Sequence, residues 1–248
     1  MGGTPKFNNF QNYIDLFTTE TNFYRTFGNT FLFMGVTTVF GMVFGLFFSM
    51  LMTKVGNFGR IFQTIYYLPS VMPFIAGSML WIAMYAKYGI LNGIIKSFGG
   101  DRVSFMSYEN AMKSILVMSI WSGIGGKVTI LLPAIAGVPK DMLESMDLDG
   151  ANGFTKFIHA ILPMISPTIF YLVTMDIIGG LQVYGPMMML GGGTATITVT
   201  LTIYNYAMTD RMVGYASAYA WIVFAIVLAV TYVFFKFGGK EVYYADED

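Results

Sequence analysis

The chain has 248 residues, 55% of them apolar and 17% aromatic, with 14 basic and 14 acidic side chains and no cysteine. Charged residues make up 11%, less than half the roughly 25% found in soluble domains, so the composition calls for lipid as the solvent of an integral membrane protein. Balanced charge points to neither nucleic acid nor an acidic substrate, and the missing cysteines exclude disulfides, thiolate metal sites and cysteine nucleophiles.

Residues 1–27 form a polar, aromatic opening in which Phe7, Phe10, Tyr13, Phe17, Phe23 and Tyr24 suit a headgroup belt. It lacks the basic start, apolar core and small-residue cleavage site of a signal peptide. A spanning helix needs about 20 mostly apolar residues. The charge-free run between Arg25 and Lys54, with the core FLFMGVTTVFGMVFGLFFSML, supplies the first. A second run lies between Arg60 and Lys87 and contains Pro69 and Pro73. The third, Ala111–Ala136, is interrupted by Lys127.

Next comes a charged stretch, PKDMLESMDLDGANGFTKFIHAILPMISP, where a short turn would suffice. Pro139 suits a helix start. Met142, Leu143, Met146 and Leu148 give an apolar stripe, Asp141, Glu144 and Asp147 complement the helix dipole, and Asp149-Gly150 reads as a stop. A second helix with Phe154, Phe157, Ile158 and Ile161 at helical spacing then runs into the bilayer, distorted by Pro163 and Pro167. Residues 138–158 thus read as a helix–turn–helix elbow presented at the surface.

The fourth span starts near Phe157 and carries Asp176 toward its end, followed by Gln182 and Tyr184. Gly191-Gly192-Gly193-Thr194 has no following Lys-Ser/Thr and no preceding strand, so it is no phosphate loop. Residues 215–237 make a clean fifth span, and 238–248 are a short acidic tail containing EVYYADED. The runs are continuously apolar instead of alternating, against a β-barrel. Lys and Arg divide six to seven between the two sides, so the positive-inside rule sets no orientation.

Ionisable groups within spans are expensive and need a partner or a watery path. Lys127 and Asp176 therefore read either as lining a solute route or as a structural ion pair. Gln182 and Tyr184, polar beside aromatic, would suit a sugar, although tyrosine is also a common belt residue. His159 is the single histidine and reads as a headgroup contact. With no nucleophile, base or metal cluster, neither a catalytic nor a metal site is expected. Met187-Met188-Met189 reads as adaptable packing and not as a copper path.

The elbow resembles the cytoplasmic loop in the membrane subunits of bacterial ABC importers, which carries E-A-A, three residues, G, nine residues and I-x-L-P. Here Glu144, Ser145, Met146, Asp149, Gly150, Ala151, Phe157, Leu162 and Pro163 occupy that pattern. Ser145 and Met146 replace the two alanines, and Ala160 the isoleucine. Further similarity lies in Leu68-Pro69, Trp81, Gly89-Ile90-Leu91-Asn92, Asn29-Thr30 opening the first core helix, Trp121 with Gly125, and a glycine run in which Gly193 stands for the proline of G-G-P. The nearest likeness is to the maltose-type carbohydrate permeases.

The resemblance implies an all-α, polytopic membrane protein with the type I ABC importer permease fold. About five transmembrane helices would lie in residues 28–237, with a further first helix upstream of this chain. It implies a permease subunit for a carbohydrate or related polyol in a bacterial inner membrane, partnered by an ABC ATPase dimer, a second related permease and an extracytoplasmic solute-binding protein. ATP and Mg would be bound by the ATPase, leaving this chain without cofactor. The elbow would be the coupling helix, with Glu144 meeting polar or basic groups, Gly150 permitting close backbone approach, and Phe154 and Phe157 fixing it to the spans. That places the C-terminus in the cytoplasm and the N-terminus outside. The competing reading is a self-contained carrier or channel driven by an ion gradient, which would need more buried ionisable groups and paired broken helices.

Overall fold

A computed structural model describes residues 8–55 and 59–238, and all regular structure among them is helical. The positions of Lys6, Phe7, Lys240 and the tail EVYYADED lie outside the described residues. In chain order the helices are α1 (Gln11–Thr18), α2 (Phe23–Met52), α3 (Gly59–Val71), α4 (Phe74–Tyr85), α5 (Ile90–Ser97), α6 (Ala111–Ala136), α7 (Lys140–Leu148), α8 (Gly153–Lys156), α9 (Leu162–Met164), α10 (Ser166–Leu181), α11 (Gly185–Leu190), α12 (Val199–Tyr204) and α13 (Val213–Gly238). Single π turns lie at Phe157–Ile161 and Asn205–Thr209.

By length and apolarity, four stretches can cross a membrane: α2, Phe74–Ser97, α6 and α13. Gly153–Met164 and Ser166–Leu181 make a fifth if the pair, bent by 71°, is one span, which agrees with the five read from the sequence. Two details differ. Helix α2 begins at Phe23, so Arg25 and Asn29-Thr30 sit inside it. The run between Arg60 and Lys87 is split into α3 and α4, because a proline disfavours helical geometry in the residue before it and Pro73 itself adopts ψ 132° as the cap of α4.

The spans meet at small residues. Lipid tails are as apolar as leucine, so helix association in a bilayer relies on close packing and interhelical hydrogen bonds. Helix α6 is the centre, touching α2, α3, α10 and α11. At Gly125 of α6, an added Cβ would lie 2.0 Å from the carbonyl oxygen of Tyr66 in α3. The same crossing is laced by Ser70, whose hydroxyl donates to Ser122 O at 2.6 Å and accepts from the Gly126 N–H at 3.0 Å.

Three buried clusters fill the space between elements. Phe33, Trp81, Tyr85, Ile115 and Met118 pack α2, α4 and α6 at the end opposite the elbow. Met42, Leu131, Ile135, Ile161 and Leu172 join α2, α6 and α10 on the elbow side. Leu16, Phe23, Tyr219 and Val223 dock α1 onto α13, so Phe23 is core and not a belt residue, while Phe10, Phe17 and Tyr24 stay exposed. Tyr206 donates its hydroxyl to Glu20 beside this cluster. Burial, and then the Glu20 carboxylate, push its phenol above the ordinary range.

Loops are tied by buried side chains. Asn29 donates to Ile197 O at 2.9 Å, and Thr30 accepts from the Val199 N–H at 3.1 Å. The glycine run turns in three successive left-handed residues, Gly193 among them at φ 57°. A proline, locked near −65°, cannot take that conformation, so the departure from G-G-P goes with a different backbone. Asn92 accepts from the Val103 N–H at 2.7 Å and donates to Val103 O at 3.0 Å, closing the loop after α5.

Gly125→Ala is expected to cost about 1–3 kcal/mol through overpacking. The adjacent Gly126→Ala, where nothing lies within 4 Å of the added atom, should be neutral or slightly stabilising by helix propensity. Thermal unfolding of the two variants in one detergent checks this, and equal midpoints would remove α3–α6 contact as a packing constraint.

Candidate functional site

The elbow is built from backbone hydrogen bonds. At the end of α7 the Gly150 N–H donates to Asp147 O at 3.0 Å and the Ala151 N–H to Met146 O at 2.9 Å. This paired closure of a helix end needs a left-handed residue just past the cap, and Gly150 has φ 75°. Nothing lies within 4 Å of a Cβ built there, so inside this chain glycine answers a conformational need and not a steric one. Asn152 then caps α8, its Oδ1 accepting from the Thr155 N–H at 2.9 Å and the Thr155 hydroxyl at 3.1 Å. Lys156 pairs with Asp147, tying the second helix back onto the first.

What the elbow displays follows from that turn. Glu144, Ser145, Asp149 and Gly150 are exposed, Met146 and Ala151 half-buried, and Leu148 at the tip is 90% exposed. Phe157 and Leu143 pack on the elbow-side cluster with Val138 and Ile161. Phe154 is 75% exposed, so of the two aromatics expected to anchor the elbow only Phe157 does so within this chain. Leu162 is half-buried and Pro163 exposed. Pro163 and Pro167 each lack the N–H that a helix needs. The chain meets this with the π turn over Phe157–Ile161 and the bend after Met164, the usual consequences of interrupting the i→i−4 ladder.

Deeper in the bundle, Lys127 and Asp176 meet. Lys127 Nζ donates to Asp176 Oδ1 at 2.9 Å, with side-chain exposures of 11% and 21%. The lysine stem needs room, and Gly41 and Gly45 of α2 provide it. A Cβ on Gly41 would stand 3.1 Å from Lys127 Nζ, and one on Gly45 3.0 Å from Lys127 Cβ. The pattern Gly41-x-x-x-Gly45 is the small-residue spacing of close membrane helix crossings. That spacing is the sequence signal for this contact, set among apolar residues that mask it.

The pair faces a cavity of about 210 Å³, lined also by Thr37, Ser119 and Gly179. A second cavity of about 340 Å³, lined by Ser70, Ser78 and Ser122, shares Phe33, Ser119 and Gly123 with it. Ser78 Oγ, Ser119 Oγ and Asp176 Oδ2 are buried with no hydrogen-bond partner among the described residues. Unpaired buried polar atoms are costly, and these three lie on the adjoining walls of the two cavities. Single serines inside apolar helices carry no such signal in the sequence. Gln182 and Tyr184 lie elsewhere: Gln182 is exposed after α10, and Tyr184 stacks on Tyr204 with ring centroids 5.9 Å apart. No group of three or more potential metal ligands occurs among the described residues.

Removing one partner of a buried ion pair typically costs about 3–5 kcal/mol. With the residual exposure seen here, Lys127→Met should cost about 2–3 kcal/mol. Lys127→Met combined with Asp176→Leu should cost less than Lys127→Met alone, because no charge is then stranded. A double-mutant cycle from unfolding curves measures the difference, and additive effects would mean the pair is not coupled.

Residues 23–237 match the family described as binding-protein-dependent transport system inner membrane component. The chain is 25% identical to a probable ABC transporter permease protein, YesP, of Bacillus subtilis (strain 168), over 98% of this chain and 81% of that protein. It is likewise 25% identical to the sn-glycerol-3-phosphate transport system permease protein UgpA of Yersinia enterocolitica, over 98% of this chain and 84% of that one. Its fold is similar to a chain in the crystal structure of a bacterial ABC transporter involved in import of the acidic polysaccharide alginate. The TM-score is 0.89 at 22% identity, covering 96% of this chain and 85% of that chain.

Proposed function

The chain belongs to the binding-protein-dependent transport system inner membrane components, and from that membership we propose that it carries a carbohydrate or related polyol while an ATPase subunit drives it through the elbow. It is a multi-pass membrane permease of an ABC importer. The observation that carries the coupling reading is the position of the elbow. It joins α6, which bears Lys127, to the bent α8–α10 unit, which bears Asp176.

A docked ATPase would grip Leu148, Glu144 and Asp149 at the tip. The hydrogen-bonded turn and the Asp147–Lys156 pair make the elbow stiff, and Leu143 and Phe157 transmit its displacement to the elbow-side cluster. Lys127 lies ten residues before Gly137, about 15 Å along α6 at 1.5 Å per residue. A push on the elbow would therefore move the two helices that hold the ion pair against each other, and rocking of packed helices is the usual route to alternating access. Under this reading the elbow and the C-terminus are cytoplasmic, and ATP and Mg belong to the ATPase. A companion permease completes the pore, and a solute-binding protein delivers the solute.

Carbohydrate as cargo is supported by two features. The adjoining cavities place the unpartnered Ser78, Ser119 and Asp176 atoms where a hydroxyl-rich solute could bind them. Relatives of this chain are transport system permeases for sn-glycerol-3-phosphate and sulfoquinovosyl glycerol.

Expression with the neighbouring subunits and purification in mild detergent tests the coupling reading. A stoichiometric ATPase should accompany the wild-type chain and be lost with Gly150→Arg. Leu148→Asp should lower its retention by roughly tenfold, the loss expected for a central apolar anchor. In proteoliposomes, Asp176→Asn and Ser119→Val should slow uptake while leaving ATPase retention unchanged. A chain that purifies alone and moves solute without ATP would overturn the proposal in favour of a self-contained carrier.

A further inference from the structure

Beyond the elbow and the central cavities, the far end of the bundle holds a third cavity of about 500 Å³ whose chemistry neither of them uses. Its walls are Ile82, Tyr85, Phe105 and Met106, and its polar lining includes Lys87 and Arg102. The two cations share one aromatic ring: Arg102 Cζ lies 4.9 Å from the Tyr88 centroid, and Lys87 Nζ 5.9 Å. Neither cation makes an ion pair among the described residues, although Asp101 and Glu109 are close in sequence. The Tyr85 hydroxyl is spent on Ser114 O at 2.8 Å, so it offers the cavity mainly an apolar surface.

The surroundings define what could fill it. Ile82 is exposed on α4, and Ile90 and Ile94 of α5, with Phe98 capping its end, form an exposed stripe at i, i+4 and i+8. Tyr88 at the corner between the helices is 80% exposed. An apolar chamber beside an apolar helix face, with two unneutralised cations against one tyrosine, fits an amphiphile with an anionic head and a hydrocarbon tail. Cations at membrane-surface depth attract anionic headgroups, and aromatic rings favour the same level.

We propose that this cavity is a binding site for an anionic phospholipid, whose phosphodiester sits between Lys87 and Arg102 and whose acyl chain lies along Ile82 and the α5 stripe. Helix α6 separates the site from the elbow, so the lipid belongs to the leaflet opposite the coupling side. The site does not depend on the transported solute.

Native mass spectrometry of the intact transporter, released from nanodiscs holding phosphatidylglycerol or phosphatidylcholine, tests the assignment. Wild type should retain phosphatidylglycerol in preference to phosphatidylcholine. Lys87→Gln with Arg102→Gln should weaken that retention roughly tenfold or more, as expected for two lost charges. Lys113→Gln, also exposed and on the same side, should leave it unchanged. Tyr88→Leu keeps both charges and should give an intermediate loss, and matched unfolding midpoints show that the variants are folded. Equal phosphatidylglycerol retention by wild type and the double variant overturns the proposal. So does displacement by millimolar inorganic phosphate, which marks a site for a soluble anion. Loss of the solute-binding protein from the double variant with lipid retention unchanged marks a protein contact and overturns it as well.

Discussion

Close approach of α2 and α3 to α6 is the constraint on which the rest of this molecule rests. Inside a bilayer, burying a leucine against another helix gains little over leaving it in lipid, so helices associate where backbones come close and polar groups find partners. Gly125 lets the Tyr66 carbonyl come so near that a methyl group there would overlap it. Gly41 and Gly45 make the same allowance for Lys127. Larger residues at these positions would push the helices apart, and with them the ion pair, the two central cavities and the elbow-side cluster.

The second organising feature is the placement of polar groups where the apolar frame leaves room for them. Most side-chain hydroxyls in the spans are satisfied locally, as when Thr30, Thr37, Thr129 and Thr174 donate to carbonyls one turn back. Such bonds cost the helix little. Ser78, Ser119 and Asp176 break that habit by leaving buried oxygen atoms unused, and they do so around adjoining cavities. Contrast with the tied loops sharpens the point: Asn92 and Ser70 are partnered on both donor and acceptor sides. Other unused atoms, on Thr38, Ser49, Trp81 and Thr231, lie outside the linings of these two cavities.

The elbow shows how a membrane protein can present a rigid surface element without a soluble domain. Its stiffness comes from hydrogen bonds and one ion pair within 20 residues of chain, and its attachment from Leu143 and Phe157. Leu148 and Phe154 are left outward, apolar and without cover in the isolated chain. A helix whose tip is apolar and whose base is packed is suited to transmit force, because a partner can hold the tip while the base moves the spans.

The number of spans, the elbow and its turn were legible in the sequence because each has a local physical cause. Apolar run length reports the bilayer thickness, Asp149-Gly150 reports a left-handed helix end, and Pro163 and Pro167 report missing donors. The helix boundary at Phe23 and the break at Pro73 were shifted by capping and proline geometry acting over one or two residues. What only the tertiary structure decided were the contacts between distant segments. Lys127 and Asp176 were each conspicuous as charges in apolar helices, but whether they met depended on how α6 and α10 cross; they pair, and the pair faces a cavity. Gln182 and Tyr184, equally suggestive in sequence, are carried away from the cavities by the end of α10. Ser78, Ser119, Gly41 and Gly45 were unremarkable until packing gave them neighbours, because a hydroxyl or a missing side chain acquires meaning only from what stands opposite it.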